Sequence, residues 1–272
     1  VTERHDTVGH DTAALVELAA GLARDAGRTA AAGRAERTPT ATTSKTSATD
    51  MVTEFDRASE RQIVDHLRRE RPLDGILGEE GSTTAGTSGV HWLIDPIDGT
   101  TNFLYDLPGW AVSVAALDAD GPLVGAVYVP ALDELFTATR GGGAQLNGRS
   151  IRCGTVTDAA TALVATGFAY LAERRATQGA RVARLLPQVR DIRRFGAASV
   201  DLCYVAAGRL DAYFEEGLGP WDFAAGELIA REAGCRSGDF GDGPASSAEL
   251  LVANESLFAA LQPMIVAAAK SR

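Results

Sequence analysis

Residues 110–148, WAVSVAALDADGPLVGAVYVPALDELFTATRGGGAQLNG, are the stretch that most limits what this chain can fold into. β-Branched and small residues alternate along it, and Asp120-Gly121 and Asn147-Gly148 interrupt it. Asp-Gly and Asn-Gly supply the positive backbone angles that tight hairpins need. The pattern therefore predicts an antiparallel meander. The triple glycine at 141–143 has no Gly-Lys-Ser/Thr after it, so it reads as a hairpin turn and not as a phosphate loop.

Helices and short strands are expected on either side. Leu15, Leu18, Ala19 and Leu22 stand at helical spacing within 11–34. The Thr- and Ser-rich run 36–50 reads as a surface loop. Thr53 with Asp56 three residues later marks a helix start, and the amphipathic run through Ile63 and Leu67 should end near Pro72. DGILGEE (74–80) reads as a strand ending in a turn, and HWLID (91–95) as another strand. Beyond about residue 155 strands and helices alternate. TALVATGF reads as a strand, and 176–190 as a helix with Val182, Leu185, Leu186 and Val189 on one face. A small-residue helix over 197–208, a strand at 210–216 and a helix over 221–234 stopped by Gly234 follow. A strand and a last helix close the chain, with Pro263 near that helix's first turn or as a kink. The expected organisation is an α+β N-terminal subdomain, residues 1–150, and an α/β C-terminal subdomain, residues 151–272.

Charge and composition narrow the chemistry. The net charge of −10 excludes a broad basic face for nucleic acid. No apolar run approaches the roughly 20 residues of a membrane span, and no secretory h-region opens the sequence, so the cytoplasm is the expected location. Cys153, Cys203 and Cys235 are dispersed with no C-x-x-C pair, which points to reduced thiols in the core. The four histidines show no zinc-helix spacing. An acidic chain that handles an anionic substrate must recruit positive charge, and divalent cations are the obvious source.

The segment WLIDPIDGTTNF (92–103) shows where they could bind. An apolar strand runs into Asp95, Pro96 forbids continuation of the ladder, and Gly99 permits an unusual dihedral. If the chain turns at Pro96 into a helix near Asp98, both carboxylates and the Ile97 carbonyl point into one space. Such oxygens suit a hard cation like Mg²⁺, and the N–H groups of Gly99, Thr100 and Thr101 would attract phosphate. Taken alone, Asp95 and Asp98 could equally cap a helix. Glu79, at a strand end, and Asp222, at a helix start, tip the reading toward a metal site. Aspartyl-phosphate chemistry uses a D-x-D spacing; the spacing of three found here argues against it.

GEE (78–80), WLIDPIDGTTNF and PWDFAAGELIAREAG (220–234) resemble the three signature motifs of the inositol monophosphatase family. TDMVTEFD (49–56) and RRFGAASVDLCYVAAGRLDAYFEEG (193–217) resemble its intervening stretches, and the likeness, closest to the bacterial SuhB-like branch, spans about 45–255. The resemblance implies a mixed α+β and α/β fold, a layered αβαβα sandwich, and usually a homodimer. It implies two or three Mg²⁺ ions, with Mn²⁺ as a substitute and Li⁺ as an inhibitor. Glu79, Asp95, the Ile97 carbonyl, Asp98 and Asp222 match the family's metal ligands. Glu79 and Thr100 match the pair that orients the attacking water, and Asp56 matches an assisting carboxylate. Gly99, Thr100 and Thr101 match the phosphate-binding backbone. Arg193, Gly196, Ala198 and Glu215, with Asp98 and Asp222, match positions facing the substrate. Lys45 falls in the loop that the family closes over its metals, although it also reads as a plain loop charge.

The expected activity is Mg²⁺-dependent hydrolysis of inositol monophosphate, a small phosphorylated polyol, with neither nucleic acid nor membrane as a partner. Histidinol phosphate, fructose 1,6-bisphosphate and 3′-phosphoadenosine phosphate are alternative substrates. A regulatory protein that binds transcription machinery is the alternative of another class. NFLYDLPGW and GAAS (196–199) depart from the family pattern and leave the substrate's identity open.

Overall fold

The expected meander forms and becomes the larger part of an eight-stranded sheet. The computed structural model describes residues 10–36, 41–44 and 51–269; Lys45 lies outside them. In chain order come α1 (Thr12–Glu36), a hairpin of β1 (Ala41–Ser44) and β2 (Met51–Thr53), and α2 (Glu54–Glu70). Then follow β3 (Gly75–Gly78), β4 (Thr83–Thr84), β5 (His91–Asp98), α3 (Thr100–Leu104), β6 (Ala111–Asp118), β7 (Gly121–Val129), β8 (Glu134–Thr139), β9 (Gly143–Leu146) and β10 (Arg149–Ser150). The order across this sheet is β10-β9-β8-β7-β6-β5-β3-β4, with β3 and β5 parallel. Asn147 (φ 49) and Gly148 (φ 76) both take positive φ in the two-residue turn between β9 and β10, as the Asn-Gly pair predicts.

The second half supplies β11 (Leu163–Thr166), α4 (Ala172–Leu185), β12 (Asp191–Arg193), α5 (Ala198–Ala206), β13 (Ala212–Glu215), α6 (Pro220–Glu232), β14 (Arg236–Gly238), β15 (Leu250–Ala253) and α7 (Glu255–Ala269). Its sheet runs β12-β11-β13-β15-β14, parallel around β11 and antiparallel around β15.

Small residues decide how these parts stack. α5 and α6 carry alanine, glycine and serine on their buried faces, so they fit between the two sheets. A Cβ at Gly125 of β7 would lie 3.0 Å from both the Cα and the carbonyl oxygen of Ala225 on α6. α1 and α2 cover the other face of the first sheet, and α4 and α7 pack together on the outer side of the second. The result is the expected αβαβα layering of mixed α/β elements, with one apolar cluster on both sides of the central α5–α6 layer and one under each outer helix layer.

Several elements differ from the sequence reading. Part of the expected loop 36–50 is strand: Ala41–Ser44 pairs with Met51–Thr53, and threonine favours extended backbone. α4 spans 172–185 and not 176–190, because Pro187 lies in the 3₁₀ turn that follows, and a proline ring disfavours helix at the residue before it. Leu186 is consequently exposed, not on the buried face. Of the two places expected for Pro263, it takes the one inside α7 and not the first turn. Among the described residues, no helix is long and apolar enough to cross a membrane.

The close approach at Gly125 makes a direct prediction. Gly125→Val pushes α6 away from β7 and should destabilise the fold by about 1–3 kcal/mol, the usual range for overpacking. Thermal unfolding of the variant beside the wild type measures it, and an unchanged midpoint would mean that the two elements are not in tight contact.

Candidate active site

One face of α2 sets the geometry. Thr53 caps the helix, its hydroxyl accepting the N–H groups of Phe55 (3.1 Å) and Asp56 (3.4 Å), and Asp56 Oδ2 accepts the Thr53 N–H at 2.8 Å. The other carboxylate oxygen of Asp56 lies 3.0 Å from the Thr100 hydroxyl. One turn further along, the Ser59 hydroxyl donates to the Pro96 carbonyl at 3.1 Å. Glu60 accepts the N–H groups of Glu80 (2.7 Å) and Ser82 (3.0 Å), which clamps the turn that carries Glu79. Gly78 makes this possible, since a Cβ there would collide with the Glu60 carboxylate.

The strand break at Pro96 works as its chemistry dictates, although the strand extends further than 91–95. Asp95 pairs with Ser113 and Asp98 with Ala111, so Pro96 and Ile97 bulge out and the ladder resumes after them. Asp95 Oδ1 accepts the Ile97 N–H at 3.1 Å. Gly99 then takes φ 88, and a side chain there would press against Gly109 O at 3.0 Å and Ala197 Cβ at 3.1 Å. Asp98 Oδ2 accepts both the N–H (2.7 Å) and the hydroxyl (2.6 Å) of Ser199, joining the end of β5 to the first turn of α5. The Thr100 hydroxyl is also 3.1 Å from the Ile97 carbonyl. At the start of α6, Pro220 occupies the first turn and Asp222 Oδ2 accepts the Gly219 N–H at 2.7 Å. At the end of β13 the Tyr213 hydroxyl donates to Glu215, whose carboxylate fills the space left by Gly167.

These elements enclose a cavity of about 380 Å³. Of the residues singled out from sequence, Glu79, Asp95, Ile97, Asp98, Gly99, Thr100, Gly196, Ala198, Glu215 and Asp222 border it. Asp56 stands behind Thr100, out of the cavity. Thr101 does not border it. Arg193 does not either: it is exposed on β12 and pairs with Asp191 at 2.5 Å, while the next residue, Arg194, lines the cavity.

Glu60, Ser199, Asp201 and the segment Gly167–Leu171 escaped the sequence reading. For Glu60 a signal exists, because Asp56, Ser59 and Glu60 share the helix face of Ile63 and Leu67, where apolar residues belong. Asp201 is likewise the one acid in the apolar run of α5. The 167–171 segment carries no such mark.

The electrostatics are those of crowded acids. Burial, then the charges of Glu79, Asp98 and Asp222, push Asp95 well above the carboxylate range, and Asp95 and Glu79 hydrogen-bond to each other. Burial lifts Asp98 to about 6 against the stabilising bonds from Ser199. Burial and the charges of Glu79 and Asp98 raise Asp222 well above its usual value. Burial also raises Asp56, opposed by Thr53 and Thr100. Across the cavity burial lifts Glu215 to about 7, with Tyr213 and Arg194 opposing. Asp201 is raised by burial and then by Glu215, and its Oδ1 has no hydrogen-bond partner.

Among the described residues, no three Asp, Glu, His or Cys side chains form a closed cage for an ion, and no ion pair reaches Asp95, Asp98 or Asp222. The donors nevertheless fit a hard divalent cation in kind: they are all oxygens, mutually repelling and partly desolvated.

A family model described as the inositol monophosphatase family matches residues 11–271. The chain belongs to the inositol monophosphatase family. It is 46% identical over 232 residues to the Nus factor SuhB of Escherichia coli (strain K12), covering 84% of this chain and 86% of that one. It is 46% identical over 223 residues to the inositol-1-monophosphatase of Rhizobium meliloti (strain 1021), covering 79% and 83%. The crystal structure of the extragenic suppressor protein suhB from Bartonella henselae superposes with a TM-score of 0.87 at 36% identity, covering 93% of this chain and 98% of that one. The layered architecture is thus that of solved inositol monophosphatases and SuhB proteins.

Glu215 gives this family member a measurable signature. Its carboxyl titrates near 7 in the fold against 4.5 in the unfolded chain, so the folded state binds more protons between those values. The contribution to stability is full below pH 4.5 and is lost as pH rises through about 7. Glu215→Gln removes the titration, so the melting point of the wild type relative to the variant should fall as pH goes from about 4.5 to above 7. A difference independent of pH would rule out the raised carboxyl.

Proposed function

We propose that this chain is a Mg²⁺-dependent phosphomonoesterase that hydrolyses inositol monophosphate to inositol and phosphate. The observation that carries the reading is the meeting of Glu79, Asp95, Asp98 and Asp222 at one cavity wall, beside Thr100 and its partner Asp56. In this reading Glu79, Asp95, the Ile97 carbonyl, Asp98 and Asp222 hold the metal ions. Once bound, these ions supply charge neutralisation and a Lewis acid that lowers the pKa of water.

The rest is the work of the chain's own groups. Thr100, aimed by Asp56, and Glu79 orient the attacking water, and Glu79 accepts its proton. The N–H groups following the positive-φ turn at Gly99 hold phosphate oxygens where α3 begins. Asp222, fixed by the Gly219 N–H, faces the leaving oxygen. Glu215, with Gly196 and Ala198, forms the wall against the hydroxyl-bearing ring. Glu60 keeps Glu79 in place by clamping its turn.

Phosphate release from myo-inositol 1-phosphate, with and without Mg²⁺, tests the reading. Asp95→Asn should lower turnover beyond the roughly 10–100-fold typical of outer-shell changes at metal sites. Near-normal, Mg²⁺-dependent turnover in that variant would end the ligand assignment. A panel with histidinol phosphate, fructose 1,6-bisphosphate and 3′-phosphoadenosine phosphate ranks the substrates.

The Nus factor names among the relatives favour a second reading, in which the chain also binds a protein of the transcription machinery. Binding that persists in Asp95→Asn would separate that role from hydrolysis.

A further inference from the structure

We propose that Cys153 and Cys235 form a reversible intramolecular disulfide when the protein meets a hydroperoxide. They are 82 positions apart in sequence, and the fold brings them together. Cys153 lies just past β10, in the segment that crosses from the first sheet to the second. Its N–H donates to the Ala233 carbonyl at 3.0 Å, so this segment runs beside the end of α6. Gly234 takes φ 99 and reverses the chain there, and the Cys235 N–H returns to the Ala230 carbonyl at 3.0 Å. The Cys153 sulfur sits over Gly234, 3.8 Å from where a Cβ would stand, next to Cys235, and the two thiols shift each other's proton affinity. Asn254 Nδ2 holds the crossing segment in place by donating to the carbonyls of Gly154 (3.1 Å) and Val156 (2.7 Å). The pair therefore does not depend on a chance meeting of loose ends.

The two thiols differ in the way that such chemistry needs. Cys153 is partly exposed, and Cys235 is nearly buried behind it. The neighbouring Cys235 thiol brings Cys153 down to about 7, with Arg152 adding to the effect, while Cys235 is pushed up and stays protonated. A partly exposed thiolate is the nucleophile that peroxide oxidises. Cys153 thiolate attacks one peroxide oxygen: the S–O bond forms, the O–O bond breaks, and hydroxide leaves and is protonated to water. The sulfur of Cys235 then attacks the sulfenic acid. The S–S bond forms, the S–O bond breaks, the Cys235 proton goes to the departing hydroxide, and a second water is released. In sum, two thiols and one hydrogen peroxide give one disulfide and two waters.

Cys203 is wholly buried in the cluster between the sheets and serves as an internal control. The cross-link would tie the crossing segment to the C-terminal end of α6. Asp222 begins that helix, about 20 Å away at 1.5 Å per residue, so the cavity is not touched.

Treatment of the full chain with hydrogen peroxide, followed by non-reducing peptide mass mapping, tests the proposal. The expected result is loss of two hydrogens, one peptide pair joined through Cys153 and Cys235, an untouched Cys203, and full reversal by dithiothreitol. The oxidised protein should melt at a higher temperature, because the link closes a long loop in the unfolded chain. Cys235→Ser should instead leave a Cys153 sulfenic acid that dimedone captures. Should that variant not fold, the wild-type map decides alone. Sulfinic acid at Cys153 with Cys235 free, a cross-link between two molecules, or no oxidation at either residue would each overturn the proposal. None of these readouts depends on phosphatase activity.

Discussion

The structure is organised around a repulsion. Asp95, Asp98, Asp222 and Glu79 meet at one cavity, where the charge of Glu79 raises the proton affinity of the other three, and Asp98 and Asp222 add to that of Asp95. A chain can keep such acids together only by answering each with fixed donors. Ser199 answers Asp98 from α5, the Gly219 N–H answers Asp222 from α6, and the Ile97 N–H answers Asp95 within β5 itself. Asp95 and Asp222 are held by donors two and three positions away in their own segments, and Asp98 alone is held across elements, by Ser199 of α5. Bringing the three to one cavity thus requires β5, α5 and α6 to be docked together.

Two backbone devices make that docking possible. The bulge at Pro96 and Ile97 lets Asp95 and Asp98 border the same cavity, where a regular strand would put residues three apart on opposite faces. α2 then supports the bulge from beneath, with Ser59 on the Pro96 carbonyl, Asp56 on Thr100, and Glu60 on the turn after β3. Buried polar groups in a helix face cost free energy unless they are fully partnered. Here the partners are the strand ends that must be positioned, so satisfying the helix and aligning the site are one event.

The parts of this design that local chemistry dictates were legible in the sequence. The Asn147-Gly148 turn, the capping box from Thr53 to Asp56, the interruption at Pro96 and the positive φ of Gly99 each follow from what single residues tolerate. The carboxylate set was legible because strand ends and helix starts are where such groups converge, and the family resemblance named the same residues. The illegible parts depend on long-range placement. Arg193 and Arg194 are indistinguishable in sequence, and only the side from which β12 joins β11 decides that Arg194 meets the cavity. The segment Gly167–Leu171 follows β11, which lies between β12 and β13 in its sheet, and that placement beside the site is a fact of topology that no local pattern carries. Cys153 and Cys235 look dispersed for the same reason.

The position of the cavity also bears on the proposed metal dependence of this acidic chain. A net charge of −10 with seven acids at one cavity sets up a field that repels a phosphate ester. Arg174 and Arg194 offset it only at the rim, where both are exposed to solvent. Raised proton affinities mean that, without other cations, protons themselves are the counterions, and the site grows less stable as they leave with rising pH. A divalent ion that displaced those protons would remove the repulsion and the pH penalty together, and on the proposed function ion binding, ester binding and the stability of the central layer would be linked through the same carboxylates.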